Sequence, residues 1–434
     1  MTFYGLRSQL GSLYILLCLG STLVSAEEKL RLAPGDYKQG YESADYQTDS
    51  LSLAMRNGKP ANLVAIAKSK QLGLPKLLST KGMKPNENKI ALGRKLFYDR
   101  RLSRNKTMSC AMCHVPEQGF TSNELQRPIG SNGRGLKRNA PTILNAAFYT
   151  NLFADSRETT LEQQIWSPLL AKNEMNNPSV GYVIETIKSL RDYDGLFDKA
   201  FSEQANMLNI GQAIGQYERA LLAGDSAFDR WYYGKNESAL TEQQVAGFKL
   251  FTGKAACSSC HLVGEKDALF TDNLLHSTGI GYAESMLDGA ILPTHTNREK
   301  GLVEVQLAPG VTANMRQSVI DSVGEEKPND IGRYEITLDP KDRWKYRTSS
   351  LRNIELTAPY MHSGGLPSLA DVVAFYNQGG VGHDLQSPLV RPLGLSADEQ
   401  VALVEFLRSL TGSGVEVLVL DAFDAGIGDV GGAR

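Results

Sequence analysis

Thiols and imidazoles are in short supply in this chain: 434 residues carry five cysteines and six histidines. Cys18 falls inside the only strongly apolar run, Leu13 to Leu19, and the other four form two C-x-x-C pairs. No thiol is left over for a disulfide framework. An excess of charge is also missing. Lysine plus arginine (46) nearly balances aspartate plus glutamate (48), so neither a basic stripe for nucleic acid nor an acidic solvating tail is expected. The apolar run is far shorter than the roughly 20 residues needed to span a bilayer. With Arg7 before it and Val24-Ser25-Ala26 after it, the run reads as a secretory leader, residues 1–26, cleaved after Ala26. The alternative reading is an uncleaved anchor. Export to the periplasm is therefore expected.

The scarce residues are concentrated. Cys110-Ala111-Met112-Cys113-His114 recurs as Cys257-Ser258-Ser259-Cys260-His261. C-x-x-C-H is the attachment signature of c-type haem: two thiols add to the porphyrin vinyl groups, and the adjacent imidazole reaches the iron from one face. A zinc site built from two C-x-x-C pairs is the competing reading. One of only six histidines follows each pair directly, which favours haem. The expected cofactors are two covalent c-type haems, held by Cys110, Cys113 and His114 and by Cys257, Cys260 and His261.

The surroundings of the two motifs repeat as well. Gly93-Arg94-Lys95-Leu96-Phe97 precedes the first as Gly247-Phe248-Lys249-Leu250-Phe251 precedes the second. Ile90, Leu92, Leu96 and Phe97 give one apolar helical face, and Thr241 with Gln244 forms a capping box ahead of Val245, Phe248, Leu250 and Phe251. An internal repeat of helix, loop and haem motif predicts a mainly α fold with two cytochrome c-like domains, each carrying one covalent haem. The expected order is an N-terminal extension over 27–84, a first domain over 85–234, a second over 235–412 and a flexible tail over 413–434. Ser396 and Glu399 cap a closing helix whose inward face is Val401, Val404, Phe406, Leu407 and Leu410, with Gly412 after it. Tyr282 to Asp330 reads as a long loop insertion.

Beyond the paired motifs, the chain carries Leu92-Gly93-Arg94-Lys95-Leu96-Phe97, Arg138-Asn139-Ala140-Pro141, Leu161-Glu162-Gln163-Gln164, Asn173-Glu174-Met175, Leu351-Arg352-Asn353 and Thr357-Ala358-Pro359-Tyr360-Met361-His362. Together these landmarks resemble the bacterial di-haem cytochrome c peroxidase and MauG family, over roughly Gly73 to Gly412. The resemblance implies an enzyme in which the N-terminal haem, with His114 as proximal ligand, reacts with hydrogen peroxide. It places Gln164, Pro168 and Glu174 on the distal side, with Glu174 moving a proton between the peroxide oxygens. It assigns His261 to the second iron and puts the other ligand within Val372-Val373-Ala374-Phe375-Tyr376-Asn377. Ordinary peroxidases of the family have methionine there and MauG-like members tyrosine, so the expected ligand is Tyr376, with Met361 as the alternative. It further implies a calcium ion bound by the Asn139 side chain and the carbonyls of Thr357 and Pro359.

No histidine occurs between His114 and His261, so the loop Ile129-Gly130-Ser131-Asn132-Gly133 has none to block the first iron. Two positions depart from the family. Ala154, in Phe153-Ala154-Asp155-Ser156-Arg157, stands where a tryptophan usually lies between the haems, and Ala255 stands at a surface tryptophan of MauG. Trp166, Trp231 and Trp344 are the tryptophans present. Residues 154–181 are most similar to the MbnH branch of MauG relatives, which implies peroxide-driven oxidation of a tryptophan on a secreted partner protein, with the oxidising equivalents shared by both haems. The alternative is a peroxidase that takes electrons from a small redox protein. A non-catalytic electron carrier is a third reading.

Overall fold

The computed structural model describes residues 30–31, 47–48, 59–77, 84–286, 302–308, 311–316 and 330–423. The expected leader, residues 1–26, and the last eleven positions, 424–434, lie outside that set. Within residues 1–54, β1 (Leu30–Arg31) pairs antiparallel with β2 (Gln47–Thr48). All else described belongs to one unit, 55–434.

That unit is helical wherever the sequence repeats. In the first half α1 (Leu63–Lys68) precedes α2 (Glu87–Tyr98), whose N-cap Asn86 accepts the Lys89 amide and whose Ile90, Leu92, Leu96 and Phe97 are all buried. The short helices α3 (Leu161–Gln164) and α4 (Trp166–Leu170) follow, then α5 (Val180–Ser189), α6 (Leu196–Phe201) and α7 (Met207–Ala220). In the second half come α8 (Ala227–Tyr232) and α9 (Glu242–Thr252), the latter opened by the expected Thr241/Gln244 capping box. Next are β3 (Leu275–His276), α10 (Ile280–Met286), the hairpin β4 (Leu302–Ala308) with β5 (Val311–Arg316), α11 (Tyr334–Thr337) and β6 (Tyr346–Arg347), which pairs with β3. The chain ends in α12 (Leu369–Asn377), α13 (Ala397–Arg408) and α14 (Val415–Phe423). No described helix is long and apolar enough to cross a membrane.

The repeated glycine explains the repeat. A Cβ on Gly93 would run into the carbonyl of Ala213 on α7, and one on Gly247 into the carbonyl of Ala402 on α13. Each haem-motif helix thus crosses its closing helix backbone to backbone, and only hydrogen at the crossing allows it. Phe97 and Phe251, four residues on, are fully buried beneath the two crossings.

Two large apolar clusters result. One runs from Leu63 through Phe97, Phe120, Trp166 and Tyr217 to Ala223; the other begins at Phe228 and runs through Phe251, Phe270 and Phe375 to Leu410. The change-over lies at Gly224 to Ser226, ahead of Gly234, because the Phe228 ring packs on Phe248, Phe270 and Phe406. Three other expectations change. Val401 is half exposed and belongs to the outer face of α13. The segment after Gly414 begins as α14, whose Leu418, Val419 and Ala422 join the first cluster, tied by Asp421 to Arg94 at 2.7 Å. The insertion after Tyr282 contains the β4–β5 hairpin.

Gly93→Ala and Gly247→Ala should each destabilise by about 1–3 kcal/mol, the usual cost of forcing atoms into a packed crossing. Calorimetry of the haem-loaded protein checks this; an unchanged melting temperature in both variants would remove the close crossings from the description.

Candidate active site

Each C-x-x-C-H motif folds as a single tight turn at the end of its loop. The Cys110 carbonyl accepts the amides of Cys113 at 3.1 Å and His114 at 2.9 Å; the Cys257 carbonyl accepts those of Cys260 at 3.2 Å and His261 at 2.9 Å. The turn brings both cysteines and the histidine into one short loop of backbone. His114 Nδ1 lies 3.2 Å from the Phe120 carbonyl, and His261 Nδ1 lies 2.8 Å from that of Phe270. A carbonyl can only accept, so Nδ1 carries the proton and Nε2 presents its lone pair. Burial pushes both imidazoles toward the neutral form that a metal ligand requires.

The four cysteines are half-buried and in no disulfide, and burial would keep a thiol at each protonated, at Cys113 and Cys257 up to about 12. Two adjacent thiols and a correctly tautomerised imidazole, twice over, are the donor set that a covalent haem uses, so the residues present fit that group.

A buried polar side chain lies within electrostatic reach of each motif. Glu174 follows α4, with its amide on the Ala171 carbonyl at 3.0 Å. Burial raises its carboxyl above the ordinary range, against the pull of Arg157, and its charge is felt at both Cys110 and Cys113. Tyr376 comes from α12; burial raises its phenol, and the sulfurs of Cys257 and Cys260 act on it. Neither side chain takes a hydrogen bond from another described residue. Met361, the alternative ligand, packs beside the second cluster with a left-handed φ of 73°.

The Glu174 segment is clamped. Its carbonyl accepts the Ser131 amide at 2.8 Å, the Met175 amide reaches the Pro168 carbonyl at 3.1 Å, and the Met175 carbonyl takes the Arg104 amide at 3.0 Å. Buried Asn177 donates to the carbonyls of Leu102 at 2.8 Å and Leu169 at 2.9 Å. Gly130 approaches Asn173 so closely that a Cβ would strike its carbonyl. The loop 129–133 therefore lies against the backbone that carries Glu174. Gln164 ends α3 and Pro168 sits in α4, both half-buried, and Glu162 ties α3 to Arg219 of α7 at 2.6 Å. Trp166 is a buried member of the first cluster.

The three oxygen donors expected for calcium are partly gathered. The Asn139 amide donates to the His362 carbonyl at 2.8 Å, which brings it to the turn holding Thr357 and Pro359. Its side-chain NH2 donates to the Gln126 carbonyl at 2.9 Å, leaving Oδ1 as the acceptor a hard cation uses. Cys260, Asp272 and His276 also lie within metal-binding reach of one another. Haem attachment consumes the Cys260 sulfur, and what remains is the Asp272–His276 pair at 2.8 Å.

Against this geometry the comparisons are decisive. The chain is 33% identical over 334 residues to cytochrome-c peroxidase IdrP2 of Denitromonas iodatirespirans, covering 77% of this chain and 84% of that one. The chain belongs to the di-haem cytochrome c peroxidase family. The family profile, described as di-haem cytochrome c peroxidase, matches residues 87–237. The methylamine utilization protein MauG of Methylorubrum extorquens is 34% identical over 324 residues, 74% of this chain and 78% of that one. The crystal structure of a MauG-like protein associated with microbial copper homeostasis superposes with a TM-score of 0.62 at 31% identity, covering 80% of this chain and 97% of that one. Family membership makes the protein a haem-dependent peroxidase-type oxidoreductase and implies two c-type haems.

Several elements of the site have no sequence signal. The proximal carbonyls of Phe120 and Phe270 are backbone atoms, and Asn177 acts through contacts made only after folding. Glu218 of α7 is a third case: it is buried beside Cys110, its Oε2 has no partner, and burial raises its carboxyl to about 8. Arg219 opposes that rise and Glu162 adds to it. A carboxyl that ionises near 8 when folded and at about 4.3 when unfolded holds its proton more tightly in the native state. Its contribution to stability therefore falls as pH rises through that window and levels off above it. Glu218→Gln should match wild type in melting temperature at pH 4 and exceed it at pH 8.5. Parallel curves across that range would show that Glu218 ionises normally.

Proposed function

We propose that the protein is a periplasmic enzyme that uses hydrogen peroxide to oxidise an aromatic side chain, of the tryptophan class, on a secreted partner protein. The observation that carries this reading is the buried Tyr376 phenol, close enough to feel the charge of Cys257 and Cys260, on a helix that contains no methionine. A phenolate is a harder, anionic donor than a thioether and favours the oxidised metal. A second site tuned that way is poorly suited to drawing electrons from an ordinary cytochrome.

When bound, the two haems supply the redox chemistry, passing two electrons from substrate to peroxide. The chain's residues do the rest. His114 and His261, with Nδ1 tied to a carbonyl, orient the proximal ligands. Glu174, made a weaker acid by burial, takes a proton from one peroxide oxygen and returns it to the other, so that water can leave. Gln164 holds the peroxide, and Pro168 keeps the distal face dry and free of ligands. The clamp through Ser131, Arg104 and Asn177 fixes the carboxyl's place, and the loop that it holds has no histidine to compete for the first iron. Asn139, Thr357 and Pro359 hold a calcium ion that ties the first half to the turn at 357–362.

A second reading, peroxide reduction to water with electrons from a small redox protein, is favoured by the relatives named as cytochrome-c peroxidases. Mixing the haem-loaded enzyme, peroxide and the candidate partner without reductant separates the two. The first reading predicts a gain of one oxygen atom on a partner tryptophan; turnover only after half-reduction, with the partner unmodified, favours the second. Tyr376→Met should change the low-spin absorption and magnetic spectra of the second haem, and an identical spectrum would reject Tyr376 as ligand. Glu174→Gln should slow the reaction with peroxide by about 10²–10⁴-fold, the range for loss of a positioned acid–base group. An unaltered rate would remove Glu174 from the mechanism.

A further inference from the structure

Among the described residues several buried and half-buried arginines hold carboxylates, and Arg333 is held instead by two good hydrogen bonds, to the carbonyls of Asp155 and Ser156, both at 2.8 Å. Arg101 reaches Asp99 and Asp192, Arg138 reaches Asp155 and Asp330, Arg219 reaches Glu162 and Arg352 reaches Asp229, each with a contact of 2.6–2.7 Å. Arg347 has no such partner. Among the described residues no carboxylate lies within ion-pair distance of it. Its side chain donates only to the carbonyls of Phe153 and Thr348, both at 3.4 Å, the weak end of hydrogen bonding. Its guanidinium lies over the Tyr149 ring, 4.8 Å from the centroid. A guanidinium withdrawn from water stays charged and needs an anion.

The position of Arg347 says what that anion is. Strand β6 delivers it, and its amide donates to the Ala154 carbonyl at 2.7 Å. Ala154 stands where the family resemblance expects a tryptophan between the haems. The same strand leads within two residues to Ser349, whose carbonyl faces the His261 ring. On the other side Tyr149 packs with Ala146, Leu152 and Leu161, and Leu161 opens the helix that ends at Gln164. Arg347 thus lies in the seam between the two haem motifs, with no carboxylate partner among the described residues and an aromatic floor. Each c-type haem carries propionate carboxylates, the anions that family membership brings into this region.

We propose that Arg347 clamps a haem propionate at the seam between the halves, with Tyr149 beneath the guanidinium, so that one residue joins a prosthetic-group carboxylate to the backbone of the opposite half through Ala154. The proposal rests on both motifs carrying haem, not on the identity of the substrate or of the second axial ligand. The carboxylate could belong to either haem, and the two sources are distinguishable. Arg347→Met keeps most of the bulk and removes the charge. In the haem-loaded protein, the redox couple whose propionate loses its cation becomes harder to reduce, because the uncompensated carboxylate favours ferric iron. Its reduction equilibrium should fall about tenfold or more, a cost of about 1.4 kcal/mol, and should acquire a pH dependence that wild type lacks, while Arg347→Lys retains most of the wild-type value.

Spectroelectrochemistry with the high-spin and low-spin bands followed separately reads both couples; whichever moves identifies the haem that supplies the carboxylate. If neither couple moves in Arg347→Met and only the melting temperature falls, Arg347 merely braces the seam and the proposal fails. Should that variant not take up haem, the wild-type protein still decides. Its propionate bending band in the resonance Raman spectrum, and the potential of at least one couple, the one whose propionate is clamped, should be constant from pH 5 to 8. A proton-coupled slope in both couples would overturn the clamp.

Discussion

Everything in this fold depends on a hydrogen bond made twice: an imidazole Nδ1–H to a backbone carbonyl, Phe120 for His114 and Phe270 for His261. It fixes the tautomer, leaves Nε2 as the ring's lone-pair nitrogen, and has to survive burial of the ring. The covalent signature brings sulfur and nitrogen close in sequence, but only this bond gives the nitrogen a direction. The helices around it secure the carbonyl. Gly93 and Gly247 let α2 and α9 meet their partners at backbone distance, and Phe97 and Phe251 are buried one turn further on.

The two halves share this proximal plan and diverge on the opposite side. The first motif feels the charge of a carboxyl, Glu174, whose irregular backbone is clamped by hydrogen bonds to the Ser131 and Arg104 segments; the second interacts with a phenol, Tyr376, carried on a regular helix. Burial pushes both toward their protonated forms, which sharpens the contrast between them. As proposed, the Glu174 carboxyl would take a proton from peroxide and return it, whereas the Tyr376 phenol would become a ligand only by losing its proton to the metal's charge. Under the proposed assignment, one duplicated scaffold holds two different chemistries because the distal residues come from outside the repeat.

That division also explains what could be seen in the chain before it folded. The haem motifs, their helices, the caps at Thr241 and Ser396 and the buried faces of α2 and α13 follow from local pattern, since each depends on residues within a few positions of one another. Glu174 and Tyr376 were legible only through family resemblance; as isolated letters they are a helix-terminal acid and a core tyrosine. Three features could not be seen at all. The closing helix α14 returns to the first cluster across more than 300 residues. The change-over between cores is set by which ring Phe228 touches. The carbonyls that hold the two imidazoles have no residue type attached to them.

The central claim is that one iron is left open beside Glu174 while its counterpart is closed by Tyr376. The electron paramagnetic resonance spectrum of the resting, fully oxidised protein tests it most directly. The account predicts one high-spin and one low-spin ferric signal in equal amounts. Two low-spin signals would mean that a side chain already occupies the first iron, and two high-spin signals that Tyr376 does not reach the second; either contradicts the asymmetry on which the proposed chemistry rests.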